Sequence, residues 1–205
     1  VKPLLVLLHG WGYDATFWRE LIAALPDMEC TVWDLGFYGL PSFLPPERPA
    51  VAVGHSYGVL WLLRQRPFAW RGLVSINGFS RFAAAPDLTE GVPMAQLDRL
   101  AASLEQDPLA CLSGFRQRSG DTTPPPDGPD VARLLESLER LRQWDERPAI
   151  PDLALCGEAD KVVPAPLSRA LFPERITRWH AGGHLLPKQD PDWCAGQIRT
   201  WLKRV

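Results

Sequence analysis

Ala50-Val51-Ala52-Val53-Gly54-His55-Ser56-Tyr57-Gly58-Val59-Leu60-Trp61-Leu62-Leu63-Arg64 decides the fold of this chain. The first four residues are a short apolar run of strand type, and the run after Gly58 has helical character. One residue, Ser56, joins the two. A strand that enters a helix through a single residue makes a sharp, strained turn. Such a turn lifts the serine hydroxyl out of the packing, where a base can reach it. The flanking glycines let strand and helix approach without side-chain clash. The G-x-S-x-G pattern alone is common; its strand-turn-helix setting is what makes Ser56 a candidate nucleophile.

Working outward, short apolar runs alternate with helical patterns. Strands are expected at Leu4–Leu8, Cys30–Asp34, Ala50–Val53, Gly72–Ile76, Asp152–Cys156 and Arg175–Trp179. Helices are expected at Thr16–Leu25, Tyr57–Gln65, Ala165–Leu171 and Pro191–Lys203, the last capped by Asp190 with Pro191 at its first position. This alternation predicts an α/β fold with an open, mostly parallel sheet of about six strands and helices on both faces. It stops near residue 80 and resumes near 150. Between these points the pattern reads as purely helical, with stripes Leu97/Leu100/Ala101/Leu104, Leu109/Leu112/Phe115 and Val131/Leu134/Leu135/Leu138/Leu141, broken by a Pro- and Gly-rich loop at 119–129. The expected organisation is a core of residues 1–79 and 150–205 with a helical lid insertion at 80–149. In such sheets ligands sit at the carboxyl ends of the strands, so an insertion leaving there would roof the site.

Composition narrows the function classes. The chain has 205 residues, 46% hydrophobic and 22% charged, enough for one domain with a sizeable core. Its net charge of −2 gives no footprint for nucleic acid. Of its 22 basic residues only Lys2, Lys161, Lys188 and Lys203 are lysine; with 21 Pro, this reads as a compositional bias of the source. Cysteines at 30, 111, 156 and 194 form no C-x-x-C pair and no zinc spacing, so buried thiols in a reducing cytoplasm are expected. Leu4–Leu8 is too short for a signal-peptide core and runs straight into His9-Gly10-Trp11-Gly12. No stretch is long enough to span a membrane. The chain opens at Val1, which leaves room for a preceding segment. Without a P-loop or a G-x-G-x-x-G, neither a cofactor nor a metal is expected.

A serine nucleophile needs a base to take its proton and a carboxylate to orient that base. In sheets of this kind the order is Ser, acid, His. Asp160 follows one expected strand and His184 follows the next, so both emerge at the same sheet edge as Ser56. Glu158 is a rival acid and His180 a rival base, though His180 ends a strand while His184 sits on a Gly-rich loop that can reach across. His55 is expected to be packing and His9 a structural hydrogen-bonding residue. The oxyanion of an acyl-transfer intermediate needs two preorganised donors, each worth roughly 3 kcal/mol of barrier. The Tyr57 N–H is one candidate and the Trp11 N–H, on the loop after the first strand, is the other.

His9-Gly10, Gly54–Gly58, Asp160 and His184, standing in this order, resemble the α/β-hydrolase superfamily. Within it, Leu7-Leu8-His9-Gly10-Trp11-Gly12 followed by Trp18 is similar to the opening of the pimeloyl-acyl-carrier-protein methyl ester esterases of biotin synthesis. Gly114-Phe115-Arg116 resembles that family's substrate-contacting lid helix, and Leu138–Arg142 followed by Arg147-Pro148 its return to the core. The chain departs from the family in lacking two strands before Leu4 and in a short, Pro-rich Leu35–Pro49 segment; a compact related esterase group in the same pathway is similarly shortened. The resemblance implies Asp160 as the acid, within G-x-x-D-x-x-V-P. It implies a serine carboxylesterase that attacks the methyl ester through Ser56, with Trp11, Tyr57, Phe115, Arg116 and Arg118 binding substrate. Arg116, Arg118, Arg140 and Arg142 would then meet an acidic acyl-carrier protein or its phosphopantetheine phosphate. Residues 80–148 hold 8 Arg against 12 Asp and Glu, so any basic patch must be local. A general short-chain carboxylesterase or thioesterase shares the same triad. A non-catalytic ligand-binding protein on a hydrolase fold is the alternative of another class.

Overall fold

The computed structural model describes residues 2–204. Its centre is a six-stranded, all-parallel sheet in the order β2-β1-β3-β4-β5-β6, built from β1 (Leu4–Leu8), β2 (Glu29–Trp33), β3 (Ala50–His55), β4 (Leu73–Ile76), β5 (Leu153–Gly157) and β6 (Thr177–His180). Four of these strands, β1, β3, β4 and β5, are buried along their whole length, as strands covered on both faces must be. The edge strands are partly exposed. β2 carries Glu29 outward, paired with Arg48 at 2.6 Å, and a charge at an open edge discourages pairing with another chain.

Eight α-helices are described: α1 (Arg19–Ala23), α2 (Tyr57–Gln65), α3 (Met94–Gln106), α4 (Pro108–Ser119), α5 (Val131–Gln143), α6 (Ala165–Leu171), α7 (Leu186–Gln189) and α8 (Pro191–Leu202). α1, α7 and α8 pack together, while α2 lies on β3 and α6 on β5. The chain leaves β1 in one direction for β2, then restarts at β3 on the other side of β1. Right-handed crossovers therefore place α2 and α6 on the face opposite α1. The point where the order reverses, between β1 and β3, opens a crevice at the carboxyl ends of those strands. Ser56 and the His9–Gly12 loop both lie there.

Helix ends follow local chemistry. Asp107 accepts from the Ala110 amide at 3.0 Å with Pro108 in the first turn of α4, and Asp130 accepts from the Arg133 amide at 2.9 Å at the start of α5. α2 is apolar almost all round and buried accordingly, between the sheet and the segment that joins β4 to β5.

Two expectations change. The first helix is shorter than its pattern: Ala15–Trp18 is a 3₁₀ turn capped by Asp14, and only Arg19–Ala23 is α. The stretch after β4 is not purely helical either. Residues 78–93 form an irregular arm with Ala84 N–H donating to Val92 O at 2.9 Å and Val92 N–H to Phe82 O at 2.8 Å. Pro86, Gly91 and Pro93 interrupt any helix there. Beyond it α3 packs against both α4 and α5. Among the described residues no helix is long and apolar enough to cross a membrane.

Candidate active site

β3 ends at His55, and Ser56 takes φ 53° and ψ −125° before α2 begins at Tyr57. A positive φ is costly for a residue with a side chain, and here the packing enforces it. A Cβ on Gly58 would stand 2.5 Å from Leu8 O and 2.6 Å from His9 O, so no other residue lets α2 start this close to β1. A Cβ on Gly10 would stand 2.9 Å from Ser56 Cβ. The loop after β1 is thus pressed against the serine, with the Trp11 amide one residue further on.

Asp160 and His184 are joined at the ends of β5 and β6. Asp160 Oδ2 lies 2.7 Å from His184 Nδ1, while its Oδ1 accepts from the Val162 and Val163 amides at 2.7 and 2.8 Å. A carboxylate so placed accepts only, so Nδ1 carries the imidazole proton and Nε2 keeps its lone pair. That Nε2 is buried and has no hydrogen-bond partner among the described residues. The Ser56 hydroxyl is therefore not bonded to it in this state; such contacts commonly tighten only with substrate. The rivals are occupied elsewhere. Glu158 is exposed and faces Arg169 at 3.7 Å, and His180 Nε2 bonds Asp190 Oδ2 at 2.9 Å. His9 Nδ1 reaches Gly10 O at 2.9 Å and its Nε2 accepts from the Leu35 amide at 3.1 Å, so it ties the loop after β1 to the loop after β2. The four cysteines are free thiols, and burial pushes Cys30 up to about 11 and Cys156 to about 12, so neither offers a competing nucleophile.

Ser56 lines a cavity of only about 30 Å³, walled by Trp11, Phe79, Phe115, Leu138 and Val162. Phe115 meets the Trp11 ring edge to face at 4.9 Å. On its other side Phe115, with Phe82, Leu97, Leu100 and Val162, also walls an outer pocket that carries Arg118 and Lys161 at its rim. The two pockets lie side by side, with Phe82, Leu97, Leu100, Phe115 and Val162 as shared apolar walls. Tyr57 forms part of the inner wall, and burial pushes its hydroxyl up to about 12, keeping it neutral.

Arg116 does not stand where the sequence led us to expect. It is 5% exposed, and its guanidinium donates to Gly12 O at 3.1 Å and Pro124 O at 3.1 Å, with Tyr13 stacked 4.8 Å away. A guanidinium can be buried when its donors are satisfied and a ring faces it. Arg116 therefore braces the loop after β1 and meets no carrier surface. Arg140 and Arg142 are paired with Glu136 and with Asp98, on or against their own helices. The Trp11 indole donates to Leu134 O at 3.1 Å.

Two residues at the site carried no functional signal in the sequence. Asn77, just past β4, donates through Nδ2 to Gly183 O and His184 O at 2.9 and 2.8 Å and accepts the Gly157 amide at 2.7 Å. His55, expected to be packing, is fully buried with its ring 4.7 Å from that of His184 and its Nε2 2.8 Å from His184 O. Only its place beside the nucleophile could have pointed to it.

No family model matches the chain. A pimeloyl-acyl-carrier-protein methyl ester esterase of Methylococcus capsulatus is 32% identical over 211 residues, covering 82% of this chain and 81% of that one. Among solved structures, the esterase EaEST from Exiguobacterium antarcticum superposes with a TM-score of 0.80 at 16% identity over 98% of this chain and 92% of that one. BioG from Haemophilus influenzae gives 0.67 at 20% identity over 95% and 94%. The structural likenesses establish the α/β-hydrolase fold, and the sequence relative carries the subgroup: with its six parallel strands and the elbow at Ser56, this chain belongs to the pimeloyl-acyl-carrier-protein methyl ester esterase family of α/β hydrolases.

Proposed function

We propose that this protein is a serine carboxylesterase that hydrolyses the methyl ester of pimeloyl-acyl-carrier protein in biotin synthesis, through an acyl-enzyme on Ser56. The observation that carries this reading is the His184–Asp160 pair at 2.7 Å with a bare Nε2, on the loop bonded to the residue that precedes Ser56. Ser56 Oγ attacks the ester carbonyl and gives its proton to His184 Nε2. The Trp11 and Tyr57 amides take the oxyanion. Collapse breaks the bond to the methoxy oxygen, which leaves as methanol with the proton from His184. Water then attacks the acyl-enzyme, its proton passing to His184, and the free carboxylate departs as Ser56 recovers that proton.

Helices α3 to α5 act as the lid in this reading. The apolar walls shared by the two pockets suit the acyl chain, and Arg118 and Lys161 on the outer one suit an anionic group at its far end, such as the carrier's phosphopantetheine phosphate. A second reading, a general short-chain carboxylesterase or thioesterase, is favoured by the small size of the Ser56 cavity, about 30 Å³. Assay of the carrier-bound methyl ester beside a chain-length series of aryl esters separates them. The carrier reading expects a gain in kcat/KM on carrier attachment, and no gain would remove it. Rescue of a biotin-requiring strain that lacks its own esterase tests the role in the cell. Labelling of Ser56 by a fluorophosphonate tests turnover chemistry against mere ligand binding.

A further inference from the structure

The base sits on Ala181-Gly182-Gly183-His184, a loop with two adjacent glycines. Such a loop has much backbone freedom to lose, yet an acyl-transfer base must be held within a fraction of an ångström. One atom of this loop is held from two sides. The His184 carbonyl oxygen receives both the His55 imidazole, Nε2 at 2.8 Å, and the Asn77 amide, Nδ2 at 2.8 Å.

Each donor is itself fixed. A carbonyl only accepts, so His55 carries its proton on Nε2, and its ring is stacked on Phe17 at 4.4 Å. It is fully buried, and burial together with the neighbouring His184 and His9 holds its pKa well below the ordinary range, so it stays a neutral donor. Asn77 adopts φ 47°, a left-handed conformation that asparagine tolerates better than most residues. Its amide N–H is bonded to Leu155 O at 2.8 Å and its Oδ1 accepts the Gly157 amide at 2.7 Å. Asn77 therefore ties the end of the strand that leads to Asp160 to the loop that carries His184. His55 ties the same carbonyl to the strand that leads into Ser56.

Resting on the reading of Ser56 and His184 as nucleophile and base, we propose that His55 and Asn77 are positioning residues that clamp the His184 backbone and so set the Ser56–His184 geometry. Neither touches the reacting atoms. The clamp acts through the carbonyl of the base and joins three strand ends into one catalytic frame.

The test uses the whole chain, a short aryl ester, and fluorophosphonate titration of active sites, so that kcat is counted per competent site. His55→Phe keeps the ring against Phe17 and removes the donor; kcat per site is expected to fall about 10- to 100-fold, with KM changed less than about twofold. His55→Gln places an N–H near the same point and is expected to recover most of the loss. Asn77→Gly accepts the positive φ and removes the other donor, and is expected to fall like His55→Phe. An unchanged kcat per site in His55→Phe, or His55→Gln as impaired as His55→Phe, overturns the clamp. Should His55→Phe not fold, Asn77→Gly decides in the same way. Failure of the wild-type chain to label at Ser56 defeats the triad reading and the clamp with it, whereas normal labelling with a fully active Asn77→Gly defeats the clamp alone.

Discussion

Asp160 divides its carboxylate between two tasks: Oδ2 holds His184 Nδ1 at 2.7 Å, and Oδ1 is fixed by two backbone amides of its own loop, at 2.7 and 2.8 Å. The orienting oxygen cannot swing away without breaking the other pair of bonds. Orientation of the His184 imidazole is thus part of the turn after β5 and does not depend on a mobile side chain.

Asp160→Asn separates the two tasks. The amide oxygen can still accept from Val162 and Val163, so the fold persists, but the other position becomes an NH₂ that cannot accept the His184 proton. The imidazole shifts to the wrong tautomer and kcat falls on the order of 10³–10⁴-fold. Steady-state kinetics beside a thermal melt checks this; a loss of kcat explained wholly by unfolding would count against it.

Gly10→Ala pushes a methyl group to 2.9 Å from Ser56 Cβ and 3.0 Å from His55 Nδ1. Neither neighbour is the free end of a flexible chain, so the loop must move. The cost is about 1–3 kcal/mol of stability, accompanied by a loss of kcat as the Trp11 amide is displaced. Denaturant melts and turnover of an aryl ester measure the two effects. An alanine variant with wild-type kcat would show that this loop does not contribute to the oxyanion site.

Arg118 and Arg116 are predicted to part company, although they are two residues apart. Arg118→Glu with Lys161→Glu reverses the rim charge of the outer pocket and should raise KM for a carrier-bound ester about tenfold, leaving a neutral aryl ester untouched. Arg116→Leu leaves the Pro124 carbonyl without its donor and the Gly12 carbonyl with the Tyr38 hydroxyl alone. It should destabilise the fold by roughly 1–3 kcal/mol and impair both substrates alike. Parallel kinetics on the two substrates distinguishes these patterns; equal effects of the rim pair on both would remove the docking role.

Acid stability should carry a His55 signature. Its folded pKa lies well below the ordinary 6.5, through burial and the neighbouring His184 and His9, so the unfolded chain binds a proton that the folded chain refuses. Stability then falls as pH drops through 6.5 and keeps falling until the folded imidazole itself protonates. Asp145, held far down by its bonds to Arg147 and Arg81, and Asp27, held at about 2 by Arg199, act later. Their contribution is present above the unfolded carboxylate value and is lost as pH falls through their folded ones. Between pH 6.5 and about 4.5 the slope therefore belongs to His55 rather than to these carboxylates. Melting temperatures at pH 7, 6 and 5 should fall more steeply for the wild type than for His55→Gln, and identical slopes would contradict the assignment.

The six strands and α2 were legible because each is a local pattern: a short apolar run, or a serine between glycines at a strand end. Helix boundaries marked by Asp-Pro, as at Asp107-Pro108 and Asp190-Pro191, were equally local. What escaped was set by partners distant in sequence. Nothing local sets Arg116 apart from Arg118 on the same helix, and only Gly12, 104 positions earlier, reveals it as a buried brace. Asn77 belongs to no motif; its role exists only because β3, β4 and β5 bring His55, Asn77 and Gly157 to one edge. The arm at 78–93 resisted reading because its alanines suit a helix, while Pro86, Gly91 and the pairing with Val92 do not.

Two polar tethers of the loop at Trp11 and Gly12 lie on the segment between β4 and β5: the Trp11 indole on Leu134 of α5, and the Gly12 carbonyl on Arg116 of α4. The sheet and that segment are consequently not interchangeable parts. Grafting the β4–β5 segment of another esterase onto this sheet, to change substrate range, would leave the Trp11 indole N–H unpaired beside Ser56, at a cost of about 1–3 kcal/mol, and the Gly12 carbonyl held by the Tyr38 hydroxyl alone. Such a chimera would lose rate on every substrate before it gained a new one. Substitutions around Phe82, Leu97, Leu100 and Arg118, on the wall of the outer pocket, leave both tethers in place.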